Sequence, residues 1–237
     1  MYFTKVFLCL WIFRYFRWIM RIHIKCSRNN LPVEFNHQHK LTGVIHKWLG
    51  ENELHGELSL YSFSMLTDGR IVNKKLDFLR GTSFFISSYD TDIQKKIISG
   101  IQKSPELFNG ISVQEIIIQE TPDFSNQDFF KIASPVFIKR NIDDNIKHIT
   151  FNDDCAGEYL VETLRQKMKL VGLVDDSLEI SFVRDYYGAK EKLVSYRDIR
   201  NKVSWCPVVI KGKEETKVFA WNVGLGNSTG IGFGALK

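Results

Sequence analysis

Histidine is the residue type whose distribution first suggests chemistry in this chain. Five of its six histidines precede residue 56, at His23, His37, His39, His46 and His55. An imidazole with an ordinary pKa near 6.5 can accept or donate a proton close to neutral pH, so two in one site could act as base and acid. The His-x-His pair at 37 and 39 predicts no metal site, because residues two apart on a helix diverge.

The elements around these histidines decide which of them could meet. The sequence predicts a helix over residues 37–49, capped by Asn36 and ended by Gly50. Its buried face is defined by apolar residues at helical spacing: Leu41, Val44, Ile45, Trp48 and Leu49. At 100° per residue, His39 and His46 lie together on the opposite side, and His55 follows in the next loop. The residues alone leave the choice among these three open.

This helix belongs to a repeating order of elements. Between residues 20 and 120 the pattern is strand, helix, strand, strand, helix, strand, which is the order of a ferredoxin-like unit. The predicted strands are 21–26, 58–64, 83–88 and 111–119, and the second helix runs from about 91 to 102. The polar segment 121–128, TPDFSNQD, is the predicted linker.

The second half repeats this order more loosely. Strands are predicted at 130–138, 178–183, 203–211 and 217–223, with a helix from Asp153 or Asp154 to about Lys169. We therefore predict an α+β fold of two packed units, a ferredoxin-like N-terminal one over 20–120 and a C-terminal one over 129–237. The aspartates at 143, 144, 153 and 154 are typical of turns and caps, not of a metal site.

Residues 1–19 differ in composition from the rest of the chain. They hold 15 apolar residues, three basic residues and no acid, and their longest uncharged run is eight residues. A spanning helix needs about 20, so no stable membrane insertion is expected. We predict that translation begins naturally at Met20; a membrane-associated factor governed by this leader is the alternative. Without the leader the formal net charge falls from +5 to +2. The four cysteines lack ligand spacing, which predicts a reduced, cytoplasmic protein.

Glycines are concentrated at the C-terminus, where five of sixteen fall within GLGNSTGIGFGALK. The spacing is not a dinucleotide fingerprint, and such clustering marks either positive φ angles or close backbone approach. The pattern Gly224-Leu-Gly226, five residues, then Gly232-Phe-Gly234 resembles the C-terminal signature of the CRISPR-associated endoribonucleases of the repeat-associated mysterious protein superfamily. Segments 35–49, 53–64 and 130–138 resemble the same family in the same order.

The resemblance implies an endoribonuclease that cuts CRISPR precursor RNA within its repeats. It implies an α+β fold of two tandem ferredoxin-like domains with antiparallel sheets, and no metal or other cofactor. It also implies attack of a 2′-OH that leaves a 2′,3′-cyclic phosphate and a 5′-OH. It places catalytic roles on His46 and His55, and puts Ser59 where some members carry a lysine, so Lys47 or Lys40 would have to stabilise the phosphate. The alternative is a non-catalytic subunit that binds repeat RNA within an interference complex.

Binding of repeat RNA, as precursor or as processed guide, requires basic residues and close approach to phosphates. The most basic stretch is 189–202, whose candidates are Lys190, Lys192, Arg197, Arg200 and Lys202. The resemblance adds the glycines of the terminal signature, which would hold the RNA backbone: Gly224, Gly226, Gly232 and Gly234. Interference-complex subunits are a further expected class of partner.

Overall fold

The computed structural model describes residues 20–50 and 58–237. In these ranges the helices are α1 (Gln38–Leu49), α2 (Thr91–Lys103), α3 (Ala156–Leu170) and α4 (Glu214–Val223), with a 3₁₀ turn at Thr229–Ile231. The strands are β1 (Met20–Cys26), β2 (Tyr61–Phe63), β3 (Arg70–Val72), β4 (Lys75–Asp77), β5 (Thr82–Ser88), β6 (Val113–Glu120), β7 (Phe129–Phe130), β8 (Ile138–Ile142), β9 (Asn145–Ile149), β10 (Glu179–Phe182), β11 (Lys190–Tyr196), β12 (Ile199–Trp205) and β13 (Val208–Lys211). Within the described residues, four helices with small antiparallel sheets confirm the predicted α+β class.

The first half is built on one antiparallel sheet of order β2–β5–β1–β6. The alternation of β1 turns Ile22 and Ile24 toward α1 and α2, where they join a core with Ile45 and Ile97. The β3–β4 hairpin, which the sequence did not predict, is inserted between β2 and β5. Without that insertion, the order of elements and strands is the ferredoxin-like one.

The second half has its own core beneath a smaller sheet of order β10–β13–β7. Phe130, Leu160, Leu164 and Phe219 are fully buried in it, so α3 and α4 contribute to the same core as β7. The C-terminal residues run beside the chain that follows β7, where the Ala133 N–H donates to the Ala235 carbonyl at 2.7 Å. Two two-stranded hairpins, β8–β9 and β11–β12, complete this half.

The predicted strand at 217–223 is wrong, because these residues belong to α4. The helix starts after Lys213, whose N–H donates to Asp175 Oδ2 at 2.8 Å, and Thr216 Oγ1 donates to the same oxygen at 2.7 Å. Glu214 and Glu215 occupy its first turn, where acidic residues interact favourably with the helix dipole. Asp175, which is distant in the sequence, thus fixes the start of a helix that the β-prone segment VFAWNV does not predict.

Three other predicted boundaries shift. The strand expected over 203–211 is divided between β12 and β13 by Cys206–Pro207, since proline cannot donate to a strand ladder. The strand expected over 130–138 is regular only at Phe129–Phe130 before β8 begins. Helix α1 begins one residue later than predicted, with His37 and not Asn36 at the cap position and no side-chain cap bond.

Arg21 of β1 joins the two halves. Its side chain is 2% exposed, and its guanidinium lies between the Phe85 ring at 3.8 Å and the Trp221 ring at 3.5 Å. It donates to the carbonyls of Trp221 at 3.1 Å and Leu236 at 2.9 Å, and to Ser87 Oγ at 2.6 Å. Burial lowers its pKa. The halves therefore meet across a buried, hydrogen-bonded cation.

Candidate active site

His46 lies on the side of α1 that faces β2. Leu41, Ile45 and Trp48 are buried on the core side, whereas the His46 side chain is half-buried, as the helical spacing predicts. Its Nε2 is 3.2 Å from the Tyr61 hydroxyl, a hydrogen-bonding distance. The imidazole is thus fixed in orientation by a side chain from the neighbouring strand.

Tyr61 connects His46 to the C-terminal glycines. Its hydroxyl donates to the Gly230 carbonyl at 3.0 Å, and the side chain is 2% exposed. Burial, with a smaller contribution from Tyr196, raises the pKa of Tyr61, so the phenol keeps its proton and the hydrogen bond. A phenol has one hydrogen, so His46 Nε2 donates to Tyr61 Oη when Tyr61 donates to Gly230.

We call residues 224–234 the glycine loop. It leaves α4 at Gly224 and includes the 3₁₀ turn, and the Gln38 amide of α1 donates to the Ile231 carbonyl at 2.7 Å. Gly226 has a φ of +75°, and a Cβ there would collide with the Phe137 carbonyl. A Cβ on Gly230 would collide with Ser59 Oγ. The loop therefore packs closely against both halves, which only glycine permits.

The four glycines predicted to hold RNA are buried by the protein itself. Gly224 lies against Ser62, Gly232 against Phe63, and Gly234 against Leu225. The accessible part of the loop is centred on Ser228, which is exposed with a φ of +61°. A role of these glycines in RNA binding stays a prediction; their observed contacts are within the chain.

The predicted basic stretch forms the β11–β12 hairpin. By the strand register, Lys190 and Lys192 lie on one face and Arg200 and Lys202 on the other, with Arg197 at the turn. Lys192 lies over the Trp205 ring at 4.2 Å, and its pKa is lowered by burial and by Lys190. Lys202 pairs with Glu191 at 2.9 Å. The five cations share one hairpin but not one surface.

This hairpin also reaches the glycine loop. Val194 and Val203 pack with Phe137, Phe233 and Ile231 in a small apolar cluster. Tyr196, two residues beyond Val194, is close enough to contribute to the raised pKa of the Tyr61 hydroxyl. Neither tyrosine was predicted as part of the site. A tyrosine in a core strand is nevertheless a signal in the sequence, because its hydroxyl needs a partner when it is buried.

Three other histidines of the first half make contacts of their own. His37 is 4% exposed, and its Nδ1 is 2.9 Å from the Glu34 carbonyl; burial lowers its pKa. His39 lies two turns before His46, about 10 Å along the helix, beside the Asn36 carbonyl. His23 pairs with Gln119 at 2.6 Å. His55, the other predicted catalytic residue, lies outside the described residues.

The two lysines considered for phosphate stabilisation both belong to α1. Lys47 Nζ donates to Ser104 Oγ beyond the end of α2, and Lys40 is a half-buried residue of the first turn of α1. Ser59 borders the glycine loop at Gly230, next to the tyrosine that contacts His46. Ser59 therefore lies beside the hydrogen-bonded series of Gly230, Tyr61 and His46.

Across residues 20–50 and 58–237, no group of three or more His, Cys, Asp or Glu side chains is arranged to hold a metal ion. In the same ranges, the helices are too short or too polar to cross a membrane.

Comparison with known proteins places the chain in a family. Residues 119–237 match the family described as CRISPR associated protein Cas6, C-terminal. The chain is 25% identical to the putative CRISPR-associated endoribonuclease-like protein Cas6 of Pyrococcus furiosus, over 92% of this chain and 98% of that protein.

Solved structures agree in fold. The structure of a Cas6-related gene product from Pyrococcus furiosus has a TM-score of 0.80 at 24% identity, and that of an RAMP protein binding different RNA substrates has 0.79 at 22%. Each comparison covers 92% of this chain and 98% of the other. Their likeness supports the tandem ferredoxin-like fold, and the match over the C-terminal half carries the assignment: this chain belongs to the Cas6 family of CRISPR-associated proteins.

Proposed function

We propose that this chain is an endoribonuclease that processes CRISPR precursor RNA by cutting within its repeats without a metal ion. The observation that carries the proposal is the hydrogen-bonded series from His46 through Tyr61 to the Gly230 carbonyl, in a member of the Cas6 family. The name of the Pyrococcus furiosus relative, an endoribonuclease-like protein, supports the same activity.

The reaction proposed is transesterification by the RNA itself. The ribose 2′-oxygen attacks the adjacent phosphorus, its proton passes to a base, the bond to the 5′-oxygen breaks, and an acid protonates that oxygen. The products are a 2′,3′-cyclic phosphate and a 5′-OH. We assign the base and acid roles jointly to His46 and His55, and each transfer contributes about 10²–10⁴-fold to the rate.

The contact with Tyr61 suits either role of His46. Nε2 carries a hydrogen in the imidazolium and in one of the two neutral tautomers, so it can donate to Tyr61 Oη before and after proton transfer. The ring therefore keeps its orientation through the cycle. This is the preorganisation that a proton-transfer group needs, because small misplacements cost large factors in rate.

We divide the chain into an N-terminal domain at 20–120 and a C-terminal domain at 129–237. RNA would be held mainly by the C-terminal domain. We assign backbone contacts to the cations of the β11–β12 hairpin, which are all exposed except the half-buried Lys192. The buried glycines would act by shaping the loop, leaving its accessible backbone near Ser228 for the RNA.

Cleavage of the cognate repeat RNA in EDTA tests this proposal. The wild-type protein should cut at one position, and His46→Ala and His55→Ala should each lower the single-turnover rate by about 10²-fold or more. Both variants should bind the RNA as the wild type does.

His39→Ala is the matched control, since it removes a histidine from the same helix two turns away and should retain the wild-type rate. Wild-type protein that binds repeat RNA but leaves it intact would contradict the proposal and identify a non-catalytic repeat-binding subunit. Cleavage that requires a divalent cation would contradict the proposed mechanism.

A further inference from the structure

A lysine lies in the core of the second half. Lys167 of α3 is 2% exposed and shares its helix face with Leu160, Leu164 and Met168, which are all buried. Salt bridges among the described residues include none from Lys167. An ammonium group buried without a carboxylate is costly, because desolvation is not offset by an opposite charge.

The Lys167 amine connects the end of α4 to the glycine loop. Its Nζ donates to the Val223 carbonyl at 3.0 Å and to Thr229 Oγ1 at 2.8 Å. Val223 is the last residue of α4, and Thr229 is the first residue of the 3₁₀ turn. One side chain therefore fixes the separation between the helix end and the turn.

This connection leads directly to His46. Thr229 precedes Gly230, whose carbonyl accepts the Tyr61 hydroxyl hydrogen, and Tyr61 Oη is 3.2 Å from His46 Nε2. Thr229 itself is 1% exposed, so water cannot easily replace Lys167 as the donor to its hydroxyl. The Lys167–Thr229 bond is therefore one residue away from the carbonyl that accepts the Tyr61 hydrogen.

Stability does not explain a lysine at this position. Burial lowers its pKa to about 7, which is the mark of a strongly desolvated amine. A methionine would fill nearly the same volume without that cost, and buried ionisable groups are in general weak contributors to stability. What methionine cannot supply is the pair of hydrogen bonds that spans the loop.

We propose that Lys167 is a positioning residue for RNA cleavage, which acts through Thr229, Gly230 and Tyr61 to orient the His46 imidazole. The proposal rests on the endoribonuclease function proposed above. Lys167 belongs to the C-terminal half and lies outside both the glycine signature and the basic hairpin. The proposal gives it a role in the chemistry that takes place beside α1.

Lys167→Met and Thr229→Val test the proposal by separating cutting from binding and folding. Both variants should lower the single-turnover rate on repeat RNA by about 10- to 100-fold while leaving the dissociation constant for RNA unchanged. At pH 7 or below, Lys167→Met should melt no lower than the wild type, because removal of the desolvated ammonium offsets the loss of its hydrogen bonds to the Val223 carbonyl and Thr229 Oγ1. Thr229→Ser, which keeps the hydroxyl, should recover most of the rate that Thr229→Val loses.

Lys217→Met is the control, since Lys217 is also a buried lysine of this half but pairs with Asp128 at 2.6 Å, away from the loop. It should lower the melting temperature and keep the wild-type rate. Full cleavage by Lys167→Met, or a rate loss that only parallels a loss of folding, would overturn the proposal.

A measurement that does not depend on cutting distinguishes this proposal from the proposed function. The NMR resonances of the His46 ring should shift between the wild type and folded Lys167→Met, while those of His39 stay constant. If the wild type cuts no RNA, the proposed function fails, and unchanged His46 resonances would then overturn the positioning role as well.

Discussion

The buried lysine of α3 makes the stability of this protein depend on pH in a defined direction. In the unfolded chain Lys167 has its ordinary pKa of 10.5, whereas burial lowers the value in the folded chain to about 7. Between these values the unfolded state binds more protons than the folded state, so the free energy of unfolding rises with pH. The penalty is absent above pH 10.5, grows as the pH falls, and is complete below about pH 7.

The size of the penalty follows from the difference in pKa. The pKa of Lys167 differs by about 3.5 between the unfolded and the folded chain, and one pKa unit corresponds to about 1.4 kcal/mol. The full cost of keeping the amine charged in the core is therefore about 5 kcal/mol. Lys167→Met removes this cost at every pH. Its gain in unfolding free energy over the wild type should therefore decrease by about 2–3 kcal/mol between about pH 6 and about pH 9.

Urea denaturation of both proteins at several pH values in this range measures the difference, in which the contributions of all other groups cancel. The prediction requires curves that converge as the pH rises. Parallel curves, or a difference that grows with pH, would refute the placement of Lys167 in a desolvated site.

Three further predictions concern the loop, the contact between the halves, and the hairpin. Gly226→Ala should lower the free energy of unfolding by about 2 kcal/mol or more by urea denaturation, whereas Gly43→Ala, in an open helix position, should raise it by about 0.5–1 kcal/mol. Arg21→Met should cost about 2–4 kcal/mol, measured the same way, because it leaves buried carbonyls without their donor. Arg200→Ala should weaken RNA binding and reduce its salt slope by about one, whereas Lys202→Ala, which removes an ion-paired cation, should have a smaller effect in the same titration.

Local patterns predicted the parts of the site that depend on neighbours in sequence. The apolar spacing of α1 correctly places His46 away from the helical core, and Gly50 ends the helix with a φ of +72°. Asp90 caps the start of α2, accepting from the Asp92 N–H at 2.8 Å. These features follow from periodicity and capping, which act within a few residues.

Features that depend on distant partners could not be predicted. The start of α4 requires Asp175, and the partner of His46 is a tyrosine whose own partner is a carbonyl more than 160 residues away. The glycine spacing indicated close approach of the backbone to other groups. Which group approaches each glycine depends on the tertiary structure and could not be predicted. For Lys167 a signal existed, since it falls on the apolar face of a predicted helix, where a cation requires an explanation.

Replacement of the attacking hydroxyl tests the central claim most directly. Once the cut position is mapped, a repeat RNA with a single 2′-deoxy nucleotide immediately 5′ of the cut can be incubated with the wild-type protein in EDTA. We predict that this RNA binds with unchanged affinity and stays intact, while the all-ribose RNA yields a 2′,3′-cyclic phosphate and a 5′-OH. Cleavage of the deoxy-substituted RNA at the same position would contradict the account.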